Sequence, residues 1–146
     1  MFEVILVPLD GSPRAEKILP VIQELAGCMH AQVVLVQVIE PVLMPYDPQG
    51  YLPELDAERT EQRKQEASEY LDKTAGGLRA NGLNVLTRVE EGPVVESILD
   101  ICTMEKPKLI ALASHGRTGL ARVFYGSVTD GILHKCPCPL LVIRSV

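Results

Sequence analysis

Two short glycine-containing segments carry the residues of this chain that are best suited to binding a small anion. Gly116 and Gly119 follow an apolar run, and without side chains their backbone N–H groups can approach a ligand closely. Gly126 and Ser127 stand where a helix is predicted to begin, so free N–H groups, the helix dipole and a hydroxyl all favour a phosphate there. These features predict a phosphate site, although ordinary turns between strands and helices also contain such glycines.

Charged residues near these segments would complete the site. Arg117 and Arg122 can supply positive charge to a phosphate. Asp10 follows the first apolar run and can accept from a ribose hydroxyl, hold Mg²⁺, cap the first helix or close an Asx turn. The glycines of the two segments match neither the GxxxxGK[ST] motif nor the GxGxxG motif. His115 is interpreted as a structural hydrogen bonder, and no general base or catalytic lysine is evident, so we predict no catalytic residue.

Alternating strands and helices must position these residues. Apolar runs predict five strands, at Val4–Leu9, Val33–Ile39, Val85–Glu90, Leu109–Ala113 and Leu140–Arg144. Helices are predicted from Ser12 to near Gly27, from Ala57 to about Ala80, from Gly92-Pro93 to Lys106, and from Ser127 to just before Cys136. Residues 40–56 contain four prolines and predict a long loop. The 146 residues therefore predict one domain, 1–146.

This alternation predicts an α/β fold in which a single doubly wound, five-stranded parallel sheet carries four helices. In such sheets, ligands bind beyond the carboxyl ends of the strands where the strand order reverses. The Asp10 segment and the Ser114–Gly119 segment meet there only if the first and fourth strands are neighbours. We therefore predict strand order 3-2-1-4-5.

Composition narrows the partners and the compartment. The net charge is −5, which makes the chain a poor general nucleic-acid binder, although six basic residues and only Asp130 among the acids lie from Lys106 onward. No apolar run approaches membrane-spanning length and the N-terminus lacks signal-peptide features, so we expect no membrane contact and a cytoplasmic location.

The four cysteines are interpreted as reduced thiols. Cys28 and Cys102 are predicted to fill the core. His134, Cys136 and Cys138 form an H-x-C-x-C pattern, but prolines interleave it and no partner pair exists elsewhere, so we predict no metal site.

Three segments together resemble the universal stress protein (UspA-type) family. They are ILVPLDGS, VVLVQVIEP and LIALASHGRTGLARVFYGSVTDGILHKCPCPLLVI, and they occur in the family's order along the whole chain. The resemblance implies a Rossmann-like fold of the adenine nucleotide alpha hydrolase type. The nucleotide-binding branch of the family carries G-x2-G-x9-G-[ST], and here Gly116, Gly126 and Ser127 match while Ala113 replaces the first glycine.

The resemblance implies binding of ATP, or of ADP or AMP, with Mg²⁺ or Mn²⁺ on the phosphates. It places Pro8, Leu9 and Asp10 beside the adenosine and Val38 beside the adenine. The residues that it implies for the pocket floor and the phosphates are Leu112, Ala113, Ser114, His115, Gly116, Arg117, Gly126, Ser127 and Val128.

The resemblance also implies a two-fold homodimer joined through Leu140–Arg144, and an apolar strand at a sheet edge favours such pairing. The leading hypothesis is an ATP-binding stress-response sensor or adaptor. The alternatives are a dimeric interaction protein of the same fold that binds no nucleotide, which Ala113 favours, and a slow ATPase or a nucleotidyl or phosphoryl transferase.

Overall fold

A computed structural model of the chain describes residues 3–41, 53–114 and 127–145. The strands are β1 (Val4–Pro8), β2 (Gln32–Ile39), β3 (Asn84–Glu91), β4 (Leu109–Ser114) and β5 (Leu140–Arg144). The α-helices are α1 (Leu19–Met29), α2 (Pro53–Ala80), α3 (Val94–Glu105) and α4 (Ser127–Lys135), and a 3₁₀ turn at Ala15–Ile18 precedes α1. None of the helices in these ranges is long and apolar enough to cross a membrane.

The five strands form one parallel sheet in the order β3-β2-β1-β4-β5. This confirms the predicted order and places β1 at the centre, with β3 and β5 at the two edges. Leu6 of β1 lies in register with Val34 of β2 and Ile110 of β4. Because β1 is followed in the chain by β2 on one side but neighbours β4 on the other, the strand order reverses between β1 and β4.

Alternating residues of the strands supply two separate cores, one on each face of the sheet. One core packs Ile5, Val7 and Leu35 against buried residues of α1 and α2, including Ile22 and Leu71. The other packs Leu6 and Val36 against Ile98 of α3 and Ile132 of α4. The sheet is therefore doubly wound, as predicted, with α1 and α2 on one face and α3 and α4 on the other.

The first two helices differ from their predicted bounds. The Ser12 hydroxyl accepts from the Ala15 N–H at 3.2 Å, at the start of the 3₁₀ turn. Helix α1 begins only after this turn, at Leu19. Helix α1 also continues through Gly27 and ends where His30 adopts the left-handed conformation, φ 53°. Helix α2 begins at Pro53, before the predicted Ala57, because proline is accepted in the first turn of a helix.

The prediction for Cys28 is wrong, because its side chain is exposed on α1. The core-facing positions of that helix are Ile22 and Ala26, four residues apart, and Cys28 lies off this stripe. Cys102 is buried, as predicted.

Candidate functional site

A cleft opens at the carboxyl edge of the sheet, over the face that carries α3 and α4. Its cavity volume is about 120 Å³, and it is partly open to solvent. Its lining comes from the ends of β1, β2 and β4, from the 3₁₀ turn, and from the first turns of α3 and α4. The lining residues are Pro8, Leu9, Asp10, Ala15, Val36, Val38, Val94, Ile98, Leu112, Ala113, Val128 and Thr129.

The structure thus brings together seven of the residues that the sequence singled out for a ligand site. They are Pro8, Leu9, Asp10, Val38, Leu112, Ala113 and Val128. Ser114 is buried at the end of β4 but is not among the lining residues, and its carbonyl accepts a hydrogen bond from the Ser145 hydroxyl. His115, Gly116, Arg117, Arg122 and Gly126 lie outside the described residues.

A tight turn at the end of β1 positions Asp10. The Leu9 N–H donates to the Val36 carbonyl at 2.8 Å, which keeps β1 beside β2 past the end of the strand. Asp10 Oδ1 then accepts from the Ser12 N–H at 2.9 Å, so the side chain closes an Asx turn. Gly11, with φ +83°, gives this turn the backbone conformation that other residues rarely adopt. The turn holds an exposed carboxylate at the mouth of the cleft.

Ala113 occupies the end of β4 without backbone strain. Among the described non-glycine residues, only His30 and Lys106 have positive φ, so the backbone at Ala113 does not require glycine. Ala113 lines the cleft, is 8% exposed and belongs to the core on the α1 and α2 face of the sheet. Alanine in place of glycine therefore adds a methyl group here without distorting the strand.

Helix α4 begins at the cleft. Ser127 is its first residue, and Val128 and Thr129 of the first turn line the cavity. The first N–H groups of α4, which have no partner within the helix, and the positive end of the helix dipole therefore belong to the cleft wall. A negatively charged group bound there gains both interactions.

Sequence reasoning missed five lining residues: Ala15, Val36, Val94, Ile98 and Thr129. Val94 and Ile98 come from α3, whose first turn covers the cleft from above the sheet. A usable signal was available, because a helix that follows a parallel strand begins at the carboxyl edge of the sheet. The distance of that helix from the cleft, however, follows from packing between helices and not from any motif.

The described lining has a large aliphatic part and a small polar part. Aliphatic side chains of β2, α3 and β4 form most of it, and such a surface suits a flat apolar group. Asp10 is the one charged side chain among the described lining residues, and the α4 N-terminus supplies positive potential. The described lining contains no histidine, cysteine or lysine that could pair with Asp10 as base or nucleophile.

The H-x-C-x-C pattern does not form a ligand set. His134 is exposed, and its Nε2 lies 3.4 Å from Asp130 Oδ1 one turn earlier in α4. Across the ranges that the structure covers, no group of three or more His, Cys, Asp or Glu side chains has an arrangement suited to a metal ion.

A model of the universal stress protein family matches residues 1–144. The chain belongs to the universal stress protein family. A universal stress protein of Thermus aquaticus is 29% identical over 148 residues, covering 99% of this chain and 100% of the relative. The solved structure of MJ0577, a universal stress protein of Methanocaldococcus jannaschii, is 27% identical and superposes with a TM-score of 0.82, covering 99% and 96% of the two chains.

Two more distant universal stress proteins were solved with nucleotides. One, in complex with cAMP, has a TM-score of 0.65 and 16% identity, over 99% of this chain and 98% of the other. The other, from Arabidopsis thaliana with AMP bound, has a TM-score of 0.70 and 13% identity, over 99% and 92%. At these identities the likeness shows the shared fold.

Proposed function

We propose that this universal stress protein binds an adenine nucleotide, ATP or else ADP or AMP, in the cleft between β1 and β4. In the proposal it acts as a homodimeric sensor or adaptor in stress response, and its dimer changes with the bound nucleotide. One observation carries the proposal: an aliphatic cavity stands directly beside the first turn of α4, at the reversal of strand order. The cAMP and AMP complexes of two distant relatives support it.

The proposed pose follows the polarity of the cleft. The adenine lies on the aliphatic side, near Val38 and Leu112, and the ribose hydroxyls donate to the Asp10 carboxylate at the mouth. The phosphates point to the first turn of α4, where Ser127 and Val128 stand. The family resemblance adds further phosphate contacts for Ser114, His115, Gly116, Arg117 and Gly126.

A divalent cation, Mg²⁺ or Mn²⁺, would enter this proposal with the phosphates. Within the described lining, Asp10 offers one carboxylate, and its Oδ1 already accepts from the Ser12 N–H. Mg²⁺ is commonly held by one or two carboxylates together with substrate phosphates. We therefore propose that the nucleotide supplies most of the cation's ligands, and that the cation binds tightly only when nucleotide is present.

Calorimetry of Asp10→Asn tests the proposed site. Asparagine keeps an oxygen that can accept from the Ser12 N–H, so the turn survives while the charge is lost. A hydrogen bond to a charged group contributes about 1.5–3 kcal/mol, so we expect ATP and ADP to bind at least about tenfold more weakly. Asp100→Asn, which removes an exposed carboxylate from α3, is the matched control and should leave the affinity unchanged.

Two results would contradict the proposal. The first is that the purified protein releases no nucleotide in mass spectrometry and gives no heat with ATP, ADP or AMP, with or without Mg²⁺. The second is equal affinity in the wild type and Asp10→Asn, which would remove Asp10 from the site even if nucleotide binds.

A second candidate, a dimeric interaction protein that binds no nucleotide, is favoured by Ala113, which lines the cleft and stands where the family's nucleotide-binding motif has its first glycine. Ala113→Gly separates the two candidates. If the methyl blocks the cleft, the wild type gives no heat with ATP and Ala113→Gly binds it. If the first candidate is right, both proteins bind ATP with similar affinity, because the Ala113 backbone carries no strain to relieve.

We propose that two copies of the chain form a homodimer through β5, and that the protein is located in the cytoplasm. Strand β5 is an edge strand whose residues Leu140–Ile143 are only partly buried within one chain, so antiparallel pairing with a second copy would cover both its backbone and its side chains. The four cysteines are free thiols, which agrees with a reducing compartment.

A further inference from the structure

Three of the four cysteines lie together at the amino ends of the strands, on the opposite side of the sheet from the cleft. Cys102 comes from α3, and Cys136 and Cys138 come from the segment that joins α4 to β5. The Sγ atoms of Cys136 and Cys138 are 3.4 Å apart, and the Cys138 N–H also points at Cys136 Sγ, at 3.4 Å. Cys136 and Cys138 pack against the core cluster that contains Cys102.

Cys102, Cys136 and Cys138 form a thiol cluster, and two of them, Cys102 and Cys138, line a second cavity of about 390 Å³ that is open to solvent. Lys106 and Lys108 line the cavity beside Cys102 and Cys138. Cys102 is 3% exposed, whereas Cys136 and Cys138 are only half-buried. Both thiols of the Cys136–Cys138 pair are therefore partly accessible to a small reagent, and the two ammonium groups beside Cys138 favour a reagent that carries negative charge.

We propose that Cys136 and Cys138 are a redox-active dithiol, a modification site that an anionic low-molecular-weight disulfide such as oxidised glutathione converts to an intramolecular disulfide. The Cys136 thiolate attacks one sulfur of the reagent and releases one thiolate. Cys138 then loses its proton to solvent and attacks the Cys136 sulfur, which releases the second thiolate. Two protein thiols are oxidised to one disulfide, and one small disulfide is reduced to two thiols.

Local geometry favours this pairing over one with Cys102. A single residue, Pro137, separates the two cysteines, so closing the bond to about 2.05 Å needs a movement of about 1.4 Å within one turn. The flanking hydrogen bonds, from Cys136 N–H to Ile132 O at 2.8 Å and from Ile110 N–H to Pro139 O at 3.0 Å, can remain. Pairing with Cys102 would instead pull a buried residue of α3 out of the core.

Burial also disfavours Cys102 and Cys138 as the first nucleophile. It raises the pKa of Cys102 to about 11 and, together with hydrogen bonding to Cys136, the pKa of Cys138 to about 12. Both thiols are therefore protonated at neutral pH, and thiols react with disulfides only as thiolates. Cys138 accordingly takes the second step, in which the mixed disulfide on Cys136 is held beside it.

The experiment uses the full chain with Cys28→Ser, which removes the lone exposed thiol of α1. The folded protein is incubated with oxidised glutathione, quenched in acid and analysed without reductant. We expect the intact mass to fall by about 2 Da and the thiol count in denaturant to fall from three to one. Trypsin cleaves after Lys135 and Arg144, so both cysteines appear in one peptide, residues 136–144, about 2 Da lighter than its reduced form.

Three variants in the same background sharpen the result. Cys102→Ala should still form the disulfide. Cys138→Ser should stop at a stable mixed disulfide with glutathione on Cys136, whereas Cys136→Ser should react much more slowly than either. The proposal is overturned by a cross-link between the Cys102 peptide and residues 136–144, by a stable mixed disulfide in the Cys28→Ser protein, or by three free thiols under conditions that oxidise the urea-unfolded chain.

Discussion

Tyr70 connects α2 to the 3₁₀ turn through a single short hydrogen bond. Its hydroxyl donates to Glu16 Oε1 at 2.7 Å, and both residues are partly buried. Tyr70→Phe removes the donor and leaves Glu16 without this partner, so we expect the free energy of unfolding to fall by about 1–2 kcal/mol in urea titrations. Glu16→Gln keeps an acceptor oxygen and should lose less. Equal stability of Tyr70→Phe and the wild type would contradict this assignment.

The same bond makes the stability sensitive to alkaline pH. Burial, followed by the hydrogen bond to and the negative charge of Glu16, raises the pKa of Tyr70 above its ordinary 10.0. A group whose pKa is raised on folding contributes stability below its unfolded pKa and loses it as the pH rises towards the folded value. We therefore expect the wild-type advantage over Tyr70→Phe to be constant up to about pH 9 and to shrink above pH 10. The raised pKa values of Cys102 and Cys138 also lower stability at alkaline pH, but they do so equally in both proteins and cancel in the difference between wild type and Tyr70→Phe.

At single residues, the sequence predicted types of chemistry better than it predicted burial. Asp10 was assigned either to a ligand or to an Asx turn, and the bond from the Ser12 N–H confirms the turn. The prediction that Cys28 is buried was wrong. It rested on the usual burial of cysteine, whereas the helical phase that places Ile22 and Ala26 inward leaves Cys28 outside. The strain-free backbone at Ala113 needed coordinates, since φ is not encoded in the residue type.

The contact between α3 and α4 depends on a glycine. A Cβ atom at Gly131 would lie 2.8 Å from Val95 Cγ2 and 3.1 Å from Val95 Cγ1. Valine in a helix has one strongly preferred rotamer, so it cannot turn away, and the helices would have to separate. We expect Gly131→Ala to lower the free energy of unfolding by about 1–2 kcal/mol and to weaken any nucleotide binding, because both helices line the cleft.

Gly76→Ala is the matched control for Gly131→Ala. A Cβ at Gly76, in α2, has no atom within 4 Å, so alanine should raise stability by about 0.5–1 kcal/mol through helix propensity alone. Opposite signs in thermal or urea unfolding support the packing argument. The same sign for both variants would contradict it.

Strands were easier to predict from the sequence than helix ends. Strand β5 has its predicted bounds, Leu140–Arg144, because prolines follow the preceding helix and an apolar run comes after them. Helix α2 was predicted four residues short because Pro53 was counted with the loop prolines. Gly27 was taken as the end of α1, but the actual end is set three residues later by His30. Helix ends depend on backbone conformations that several residue types can adopt.

The arrangement of the whole molecule leaves two edge strands of different character. Ile143 lies on β5 and packs against the α1–α2 core while remaining partly exposed, whereas Leu86 lies on β3 at the far edge and is 46% exposed. We expect Ile143→Lys to shift the sedimenting species from dimer towards monomer, because a charge on an apolar pairing edge opposes association. Leu86→Lys should leave it unchanged. A dimer that survives Ile143→Lys places the interface elsewhere.

Topology brings the described part of the candidate site together. Pro8, Leu9 and Asp10 are about 100 positions away from Leu112 and Ala113 in the chain, yet they share one cleft, since β1 and β4 are adjacent. The alternation of strands and helices predicted a parallel sheet, and the polar residues at the ends of the first and fourth strands predicted that these two strands are adjacent. The contribution of Val94 and Ile98 to the cleft was not predictable, because the residue pattern of α3 does not say how closely this helix packs over the strand ends.

Strand β1 is enclosed on all four sides, with β2 and β4 beside it and a core on each face. Its peptide groups therefore reach solvent only when the molecule opens globally, whereas β3 and β5 can fray separately. In deuterated buffer we expect the Ile5, Leu6 and Val7 amides to be the slowest to exchange and to report the full free energy of unfolding. Deuterium uptake in β1 as fast as in the edge strands would mean that the two halves of the sheet part along its centre, through the cleft itself.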